Sequence, residues 1–287
     1  RASARLKKER ARLAVFALMG QQTRQPPERP LVKTACAGVG VRRTNWSSHR
    51  GPVQSPQIVW KLKTPGAVTA TPVIDRRATV FVGTIKGQVL SISAAGKPNW
   101  RTNLNIPIRT PVAVGPQRVF VSTCDGRLHA LDRKNGTVLW HRRLSRAGSA
   151  IPFADAKGRV AIVLERFFYF DRKGKLLARW SPPKTHCHAG PTKAGKHAFY
   201  VGCDDGRIYR IQKKKPAAKK KASFQFRVDW SLQCSGGPVR GTLSRGRADT
   251  VFALTTKHTL CAASPVLQKH LLLWKHKATK PLTTSPS

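Results

Sequence analysis

Histidine and cysteine gather in one stretch of the chain, THCHAGPTKAGKHAFYVGC, at residues 185–203. His186 and His188 are two residues apart, so they would share one face of a strand, with His197 and Cys203 nearby in sequence. Imidazole and thiolate are the ligands of zinc and copper sites. The spacing matches no usual structural zinc pattern, so the interpretation we favour is a strand-edge cluster without a metal.

The elements that carry this stretch belong to a repeat. Tryptophans recur at steps of 40, 40, 40, 50 and 44 residues, at Trp60, Trp100, Trp140, Trp180, Trp230 and Trp274. Upstream of each later tryptophan a similar phrase returns, such as TPVAVGPQRVFVSTCDGRLHALDRKNGTVLW, and five copies are present. A fixed period of this length indicates a repeat architecture.

Each copy divides into four short β-rich runs separated by turn residues, with no helical periodicity between them. In the second copy, Asp125-Gly126 and Asn135-Gly136 are typical of tight turns, because glycine supplies the positive φ that such turns need. Four-stranded units of about 40 residues have the size of a propeller blade. We therefore predict an all-β propeller of five blades, in which the six tryptophans dock neighbouring blades.

Ala130, Asp132, Gly136 and Trp140 fit the pattern A-x-D-x-x-x-G-x-x-x-W. This pattern resembles that of the pyrroloquinoline-quinone (PQQ) repeat propellers, whose tryptophans dock one blade onto the next. The resemblance extends over roughly residues 41–276 and implies the propeller fold. It leaves the function open, because the family contains quinone-dependent dehydrogenases and envelope assembly lipoproteins.

Two departures from the family bear on function. Its dehydrogenases and its outer-membrane assembly lipoprotein typically have seven or eight blades, whereas this chain has five copies. The dehydrogenases also place an adjacent cysteine pair over the quinone and bind calcium through carboxylate and Asn oxygens. The six cysteines here are never adjacent, and only 12 acidic residues are present to supply the six to eight oxygens that calcium takes.

The cysteines themselves leave the redox state open. An even number would allow disulfides in an oxidising compartment. One cysteine per repeat, at unlike positions, instead favours reduced and partly buried thiols. The sequence shows no Ser-His-Asp order, P-loop or dinucleotide-binding glycine motif, so we assign no catalytic, cofactor-binding or metal-binding residue.

Charge is the strongest functional signal in the sequence. The 54 Lys and Arg against 12 Asp and Glu give a formal net charge of +42. Residues 1–55 and the lysine run 213–221 account for the smaller part of this excess, so the propeller itself is basic. Such a charge favours a polyanionic partner that neutralises it. Most of the acids in the propeller fall at expected turns, where a carboxylate accepts backbone hydrogen bonds.

We predict that phosphate contacts dominate binding, because few aromatic residues remain outside the tryptophan series. The candidate polyanion-binding residues lie in the N-terminal region and the lysine run: Arg5, Lys7, Lys8, Arg10, Arg12, Arg42, Arg43, Lys213, Lys214, Lys215, Lys219, Lys220 and Lys221. The N-terminal stretch RASARLKKERARLAVFALMG is either a basic helical extension, which we favour, or the remnant of a signal sequence. Its short apolar part cannot span a bilayer.

The expected organisation is a basic extension with a helix at residues 1–40, a propeller at 41–276 with an inserted loop at 212–222, and a tail at 277–287. We expect Trp60 to belong to a strand that closes the ring against the last copy. The function hypothesis is a non-enzymatic scaffold that binds RNA, such as ribosomal RNA, beside other proteins of a mitochondrial ribonucleoprotein. A cell-envelope scaffold resembling the bacterial outer-membrane assembly lipoprotein, in the periplasm, is the alternative, and a PQQ-dependent dehydrogenase is the second alternative.

Overall fold

The computed structural model describes residues 58–214, 225–234, 237–246, 249–264 and 271–279. Within these ranges the chain forms twenty β-strands and no α-helix. None of the described segments offers an apolar helix of membrane-spanning length. The predicted all-β class is confirmed, whereas the helix expected in residues 1–40 falls outside the described part of the chain.

The strands form five four-stranded sheets, and within each sheet consecutive strands pair in antiparallel order. Sheet 1 contains β1 (Val73–Ile74), β2 (Val80–Gly83), β3 (Gln88–Ile92) and β4 (Pro98–Asn103). Sheet 2 contains β5 (Ala113–Val114), β6 (Arg118–Ser122), β7 (Arg127–Asp132) and β8 (Val138–Arg143). Sheet 3 contains β9 (Phe153–Ala154), β10 (Val160–Leu164), β11 (Arg166–Phe170) and β12 (Leu176–Trp180).

The last two sheets have longer strands. Sheet 4 contains β13 (Thr192–Lys193), β14 (Ala198–Gly202), β15 (Arg207–Lys214) and β16 (Gln225–Gln233). Sheet 5 contains β17 (Val239–Arg245), β18 (Val251–Thr255), β19 (Thr259–Ser264) and β20 (Leu271–Lys277). The five sheets are the five blades of a β-propeller, as the repeat predicted.

The core consists of apolar clusters between consecutive sheets. Side chains on successive strand positions alternate between the two faces of a sheet, so a blade needs apolar residues on both faces. Phe81 and Val121 belong to the cluster between sheets 1 and 2, whereas Phe120 and Ile162 belong to the next one. Further clusters lie between sheets 3 and 4 and between sheets 4 and 5. This packing explains why the central strands are buried on both faces.

A β-bulge recurs between the third and fourth strands of every sheet. In four sheets the residue pair beside the bulge includes the tryptophan, which is Trp100, Trp140, Trp230 or Trp274. In sheet 3 the equivalent pair is Tyr169 with Ala178, and Trp180 lies two residues further along the strand. Trp180 therefore keeps the 40-residue step in sequence but takes a different register.

The prediction for Trp60 is wrong. Residues 58–63 pair with no strand, and the fourth strand of the last sheet is β20. Since the fifth copy supplies all four of its own strands, it has no place for the Trp60 segment. Among the described strands, none of sheet 1 pairs with one of sheet 5.

Candidate functional site

The indoles of three tryptophans hold neighbouring units together in one repeated way. Each indole N–H donates a hydrogen bond to a carbonyl in the turn before the fourth strand of the following sheet: Trp60 to Ala94 at 2.9 Å, Trp100 to Arg133 at 3.0 Å and Trp140 to Arg172 at 3.1 Å. Trp60 thus docks onto sheet 1 although it belongs to no strand. Burying an indole with its N–H satisfied combines apolar contact with a directed bond.

A glycine lies beneath each of these rings. Gly136 has a φ of +78°, and a Cβ added there would lie 2.5 Å from Cε3 of Trp100. Gly96 and Gly174 have the same relation to Trp60 and Trp140. The repeated turn reads S-x-x-G in sheet 1, D-x-x-x-G in sheet 2 and D-x-x-G in sheet 3. It needs glycine both for its left-handed backbone and for the space that the ring fills.

Trp180 differs from the other tryptophans in its ring contact, whereas Trp230 and Trp274 pack on a second-strand aromatic residue of their own sheet, as Trp100 and Trp140 pack on Phe81 and Phe120. The ring of Trp180 lies 5.3 Å from that of Tyr209 in sheet 4. Trp230 is buried 5.6 Å from Tyr200 of its own sheet, and Trp274 lies 6.1 Å from Phe252 of its own sheet. The turns that would receive Trp180 and Trp230 lie in residues 215–224 and 265–270, outside the described part of the chain.

The turns form two faces of the propeller. We call the face with the first-to-second and third-to-fourth strand turns the lower face, and the opposite one, with the second-to-third turns and the connections between sheets, the upper face. Cross-sheet contacts align the lower turns: Arg133 of sheet 2 binds Asp75 of sheet 1, and the Tyr200 hydroxyl of sheet 4 donates to the Asp249 carbonyl of sheet 5. The lysine run 213–221 therefore begins on the lower face.

Acidic side chains in the described ranges are engaged within the protein. Six form ion pairs with arginine: Asp75–Arg133, Asp125–Arg127, Asp155–Arg159, Asp204–Arg240, Asp229–Arg210 and Asp249–Arg245. The other four accept hydrogen bonds: Asp132 and Asp171 from turn amides, Glu165 from Ser145, and Asp205 from Tyr209. The turn role predicted for these carboxylates matches this geometry, and most lysines have no acidic partner within reach in the described part.

Basic side chains converge on the lower face between sheets 3 and 4. The set comprises Lys157 and Arg159 from the β9–β10 turn, Lys193, Lys196 and His197 from the β13–β14 turn, and Lys213 near the end of β15. We call these six residues the Lys193 cluster. The one carboxylate beside it is Asp155, which already accepts from Arg159 Nε at 2.7 Å and from the Tyr169 hydroxyl at 3.0 Å. The cluster is therefore strongly positive.

Lys193 is the central member of this cluster. Its ammonium group lies 4.4 Å from the ring centroid of Phe199 and donates to the Lys196 carbonyl at 3.0 Å. Burial, together with the positive charges of Arg159 and Lys213, lowers the pKa of Lys193 to about 8 even though Asp155 opposes the shift. The pKa of Lys213 is also lowered, by burial and by Arg159 and Lys157. Both shifts reflect burial first and the neighbouring positive charges second.

Only part of the sequence-predicted polyanion set can be placed. Lys213 and Lys214 end β15 on the lower face, and Lys214 is exposed. The remaining candidates lie outside the described residues: Arg5, Lys7, Lys8, Arg10, Arg12, Arg42, Arg43, Lys215, Lys219, Lys220 and Lys221. Their role stays a prediction.

The histidine and cysteine stretch splits between the two faces. Cys203 forms a disulfide with Cys187 and thus cannot ligate a metal as a thiolate. His188 lies on the upper face, with Nε2 at 3.4 Å from Asp204, whereas His197 belongs to a lower turn. Across the described ranges, no three such side chains form a metal-binding group.

Cysteine pairing corrects the expectation of reduced thiols. The Cys187–Cys203 bridge joins the connection between sheets 3 and 4 to the end of β14, and a second bridge, Cys234–Cys261, joins the end of sheet 4 to β19 of sheet 5. Cys124 is a free thiol. The spacing of the cysteines in the sequence does not predict these pairs, because the paired residues become neighbours only when the strands form their sheets.

The sequence pointed to one member of the Lys193 cluster, Lys213, and missed the other five. Those five are isolated basic residues in turns of two different copies, DAKGR and KAGKH, and no charge run marks them. The signal that could have found them is positional: both turns occupy the same place in their copies, so they must meet on the lower face.

Comparison with known proteins gives the family context. The family model described as "Outer membrane protein assembly factor BamB" matches residues 52–285. The BamB of Bordetella pertussis (strain Tohama I) is 28% identical over 102 residues, which is 36% of this chain and 26% of that protein. The aligned part is thus about a quarter of the length of this curated relative.

Two solved structures are similar in fold. BamB from Moraxella catarrhalis superposes with a TM-score of 0.61 at 20% identity, over 77% of this chain and 67% of that one. Quinohemoprotein alcohol dehydrogenase from Comamonas testosteroni superposes with a TM-score of 0.63 at 16% identity, over 85% of this chain and 49% of that one. At these identities the likeness establishes the propeller fold alone.

Proposed function

The chain belongs to the family of the outer membrane protein assembly factor BamB, and we infer that it is a non-catalytic propeller scaffold that supports outer membrane protein assembly in a bacterial cell envelope. The observation that carries this inference is the family match over residues 52–285, a range that includes all five sheets. A single short motif would support only the fold, whereas a match of this length follows the order of the whole repeat array.

The disulfides support an envelope location. Both bridges are buried, and each links segments that are distant in sequence. Disulfides persist in oxidising compartments such as the bacterial periplasm and are rare where thiols are kept reduced. The bridges therefore favour the envelope hypothesis over the mitochondrial ribonucleoprotein hypothesis, which rests on the net charge alone.

A scaffold role is also favoured over quinone chemistry. No two cysteines are adjacent in the sequence, so the cysteine pair of the quinoprotein dehydrogenases has no counterpart. The described carboxylates already serve ion pairs and turns, and their use for calcium would have to break those contacts. The likeness to the alcohol dehydrogenase from Comamonas testosteroni is thus one of fold.

Deletion of the gene in its own organism tests the proposal. The amounts of outer membrane proteins should fall, and the wild-type chain exported to the periplasm should restore them. The same chain retained in the cytoplasm is the matched control and should not restore them. Unchanged outer membrane protein levels after deletion would overturn the assembly role.

A second measurement addresses the ribonucleoprotein alternative. The protein purified from its organism should have the 260/280 nm absorbance ratio of protein alone, both before and after a high-salt wash. A ratio typical of nucleic acid that falls on washing would instead favour RNA binding, because such contacts are salt-sensitive.

A further inference from the structure

The Lys193 cluster has the properties of an anion site. It brings Lys193, Lys213 and Arg159 within electrostatic range of one another, with Lys157 beside Lys213 and Lys196 beside His197. Asp155 lies next to them and already accepts hydrogen bonds from Arg159 and Tyr169. Burial and the positive charges of Arg159 and Lys213 lower the pKa of Lys193 to about 8. A bound anion would offset the repulsion among these cations.

The surroundings of the cluster favour phosphate over a flat organic anion. The nearby rings of Phe199 and Tyr169 are buried and are covered by Lys193 and Arg159 respectively. Base stacking, which accompanies the binding of single-stranded nucleic acids, thus has no exposed ring here. Ammonium groups that act as point charges suit phosphate oxygens.

The rest of the lower face extends the positive surface. Exposed basic residues occupy lower turns of sheets 1 to 4: Arg76, Arg77, Lys97, Lys134, Lys157, Arg172, Lys173, Lys175, Lys196 and Lys214. These turns lie side by side at the ends of neighbouring sheets, so their charges spread over a broad surface. A broad basic surface matches a plane of many phosphates better than it matches one small ligand.

We propose that the Lys193 cluster binds the phosphate of an anionic phospholipid headgroup and thereby sets the lower face of the propeller against a membrane surface. The disulfides favour a phospholipid headgroup over RNA as the source of the phosphate. They indicate an oxidising compartment, where the surrounding membranes present such headgroups. The lipid site does not depend on the assembly role, so vesicle binding and the deletion phenotype can fail independently.

Vesicle binding of the full chain tests the proposal. The probe is phosphatidylcholine vesicles with and without phosphatidylglycerol, in sedimentation assays at low and at high salt. The wild-type chain should bind the anionic vesicles and be released by salt, since exposed charges are screened. The variant with Lys157→Gln, Lys193→Gln and Lys196→Gln should bind at least about ten-fold more weakly, because each basic residue at an anionic surface contributes several-fold in affinity.

A matched variant on the opposite face controls for net charge. Lys86→Gln, Lys184→Gln and Lys257→Gln remove the same charge from exposed upper-face lysines and should change affinity by less than about three-fold. The pair Lys157→Gln and Lys196→Gln, both exposed, tests the site without altering the partly buried Lys193. Equal losses in the upper-face and lower-face variants would overturn the site and leave only diffuse attraction.

Acetylation in the presence of vesicles locates the contact directly. Anionic vesicles should protect Lys157 and Lys196 from acetic anhydride, read by mass spectrometry, and leave Lys86 and Lys257 reactive. Two competition arms separate the sources of phosphate. Displacement of the vesicles by millimolar inorganic phosphate, or by an RNA oligomer at equal phosphate concentration, would overturn the membrane assignment, whereas resistance to both supports it.

Discussion

Sheets 1 to 3 and sheets 4 to 5 are held together by different means. In the first region, each of Trp60, Trp100 and Trp140 donates an indole hydrogen bond to the following sheet. The ring of each one packs over a glycine of that sheet. In the second region, the Cys187–Cys203 and Cys234–Cys261 bridges accompany the junctions. The two bridges add covalent links to the apolar packing of the second region, whereas the docking contacts of the first region are non-covalent.

The largest expected effect comes from removing a docking indole. Trp100→Ala should lower the free energy of unfolding by about 3–5 kcal/mol, because it empties a buried site and removes the bond to Arg133. Trp180→Ala should cost about half as much, since Trp180 is partly exposed and packs mainly on Tyr209. Urea denaturation of both variants measures the difference. Equal losses of unfolding free energy would mean that the indole hydrogen bond and the packing of the ring over Gly136 add nothing to docking.

The second effect concerns the disulfide between sheets 4 and 5. Cys234→Ala with Cys261→Ala should lower the free energy of unfolding by about 3–4 kcal/mol, because the unfolded chain is no longer closed into a loop. Cys124→Ala, at the free thiol, is the control and should cost less than about 1 kcal/mol. A reducing agent should lower the melting temperature of the wild-type chain at least to that of the double variant, because it also opens the Cys187–Cys203 bridge. If reduction leaves it unchanged, the bridge does not fasten this region.

Two glycines with similar φ values allow the energetic cost of the turn conformation to be measured separately from the cost of displacing a packed ring. Gly174 and Gly195 have φ values of +79° and +82°, but an added Cβ at Gly174 would lie 2.7 Å from Trp140, whereas at Gly195 it meets nothing within 4 Å. Gly195→Ala should cost about 1 kcal/mol, from the left-handed backbone alone. Gly174→Ala should cost about 2–3 kcal/mol, because the ring must also move. Thermal denaturation of the two variants tests this. Similar losses of stability would show that the Trp140 ring moves aside at little energetic cost.

These contacts explain which features the sequence could predict. The strands, turns and blades followed from local patterns, such as the Asp125-Gly126 and Asn135-Gly136 turns, which depend on neighbours in the chain. The register of Trp180 did not follow, because a third-to-fourth strand turn one residue shorter offsets part of its two-residue shift, and the 40-residue step is kept. Sequence spacing alone cannot detect such compensation.

The candidate site was predicted less well than the fold. The charge excess pointed to an anionic partner and to Lys213 and Lys214, which do lie at the lower face. Lys193 and Lys157 come from different copies, and only the packing of sheets 3 and 4 brings them together. The disulfides were missed for the same reason, and they favour a different compartment from the one that charge had suggested.

The smallest expected effect is a pH dependence that originates in the first region. Burial, with the neighbouring His141, lowers the pKa of His129 in β7 to about 4. Its Nε2 lies 3.2 Å from the Thr123 hydroxyl, which itself donates to Asp125, so Nε2 carries a hydrogen and donates to the hydroxyl oxygen. Between pH 6.5 and 4 the unfolded chain binds a proton at this residue and the folded chain does not. The free energy of unfolding should therefore fall as the pH is lowered through this window.

The contribution of His129 should be on the order of 1 kcal/mol, because the side chain is not fully shielded from solvent screening. His129→Leu should reduce the decline in stability between pH 6.5 and 4 by this amount, as measured by urea denaturation across the pH range. His276→Leu, at an exposed position of β20 in the second region, should leave the decline as it is in the wild-type chain. If the His129→Leu variant keeps the full wild-type decline, the acid sensitivity arises from the carboxylate ion pairs that both regions share.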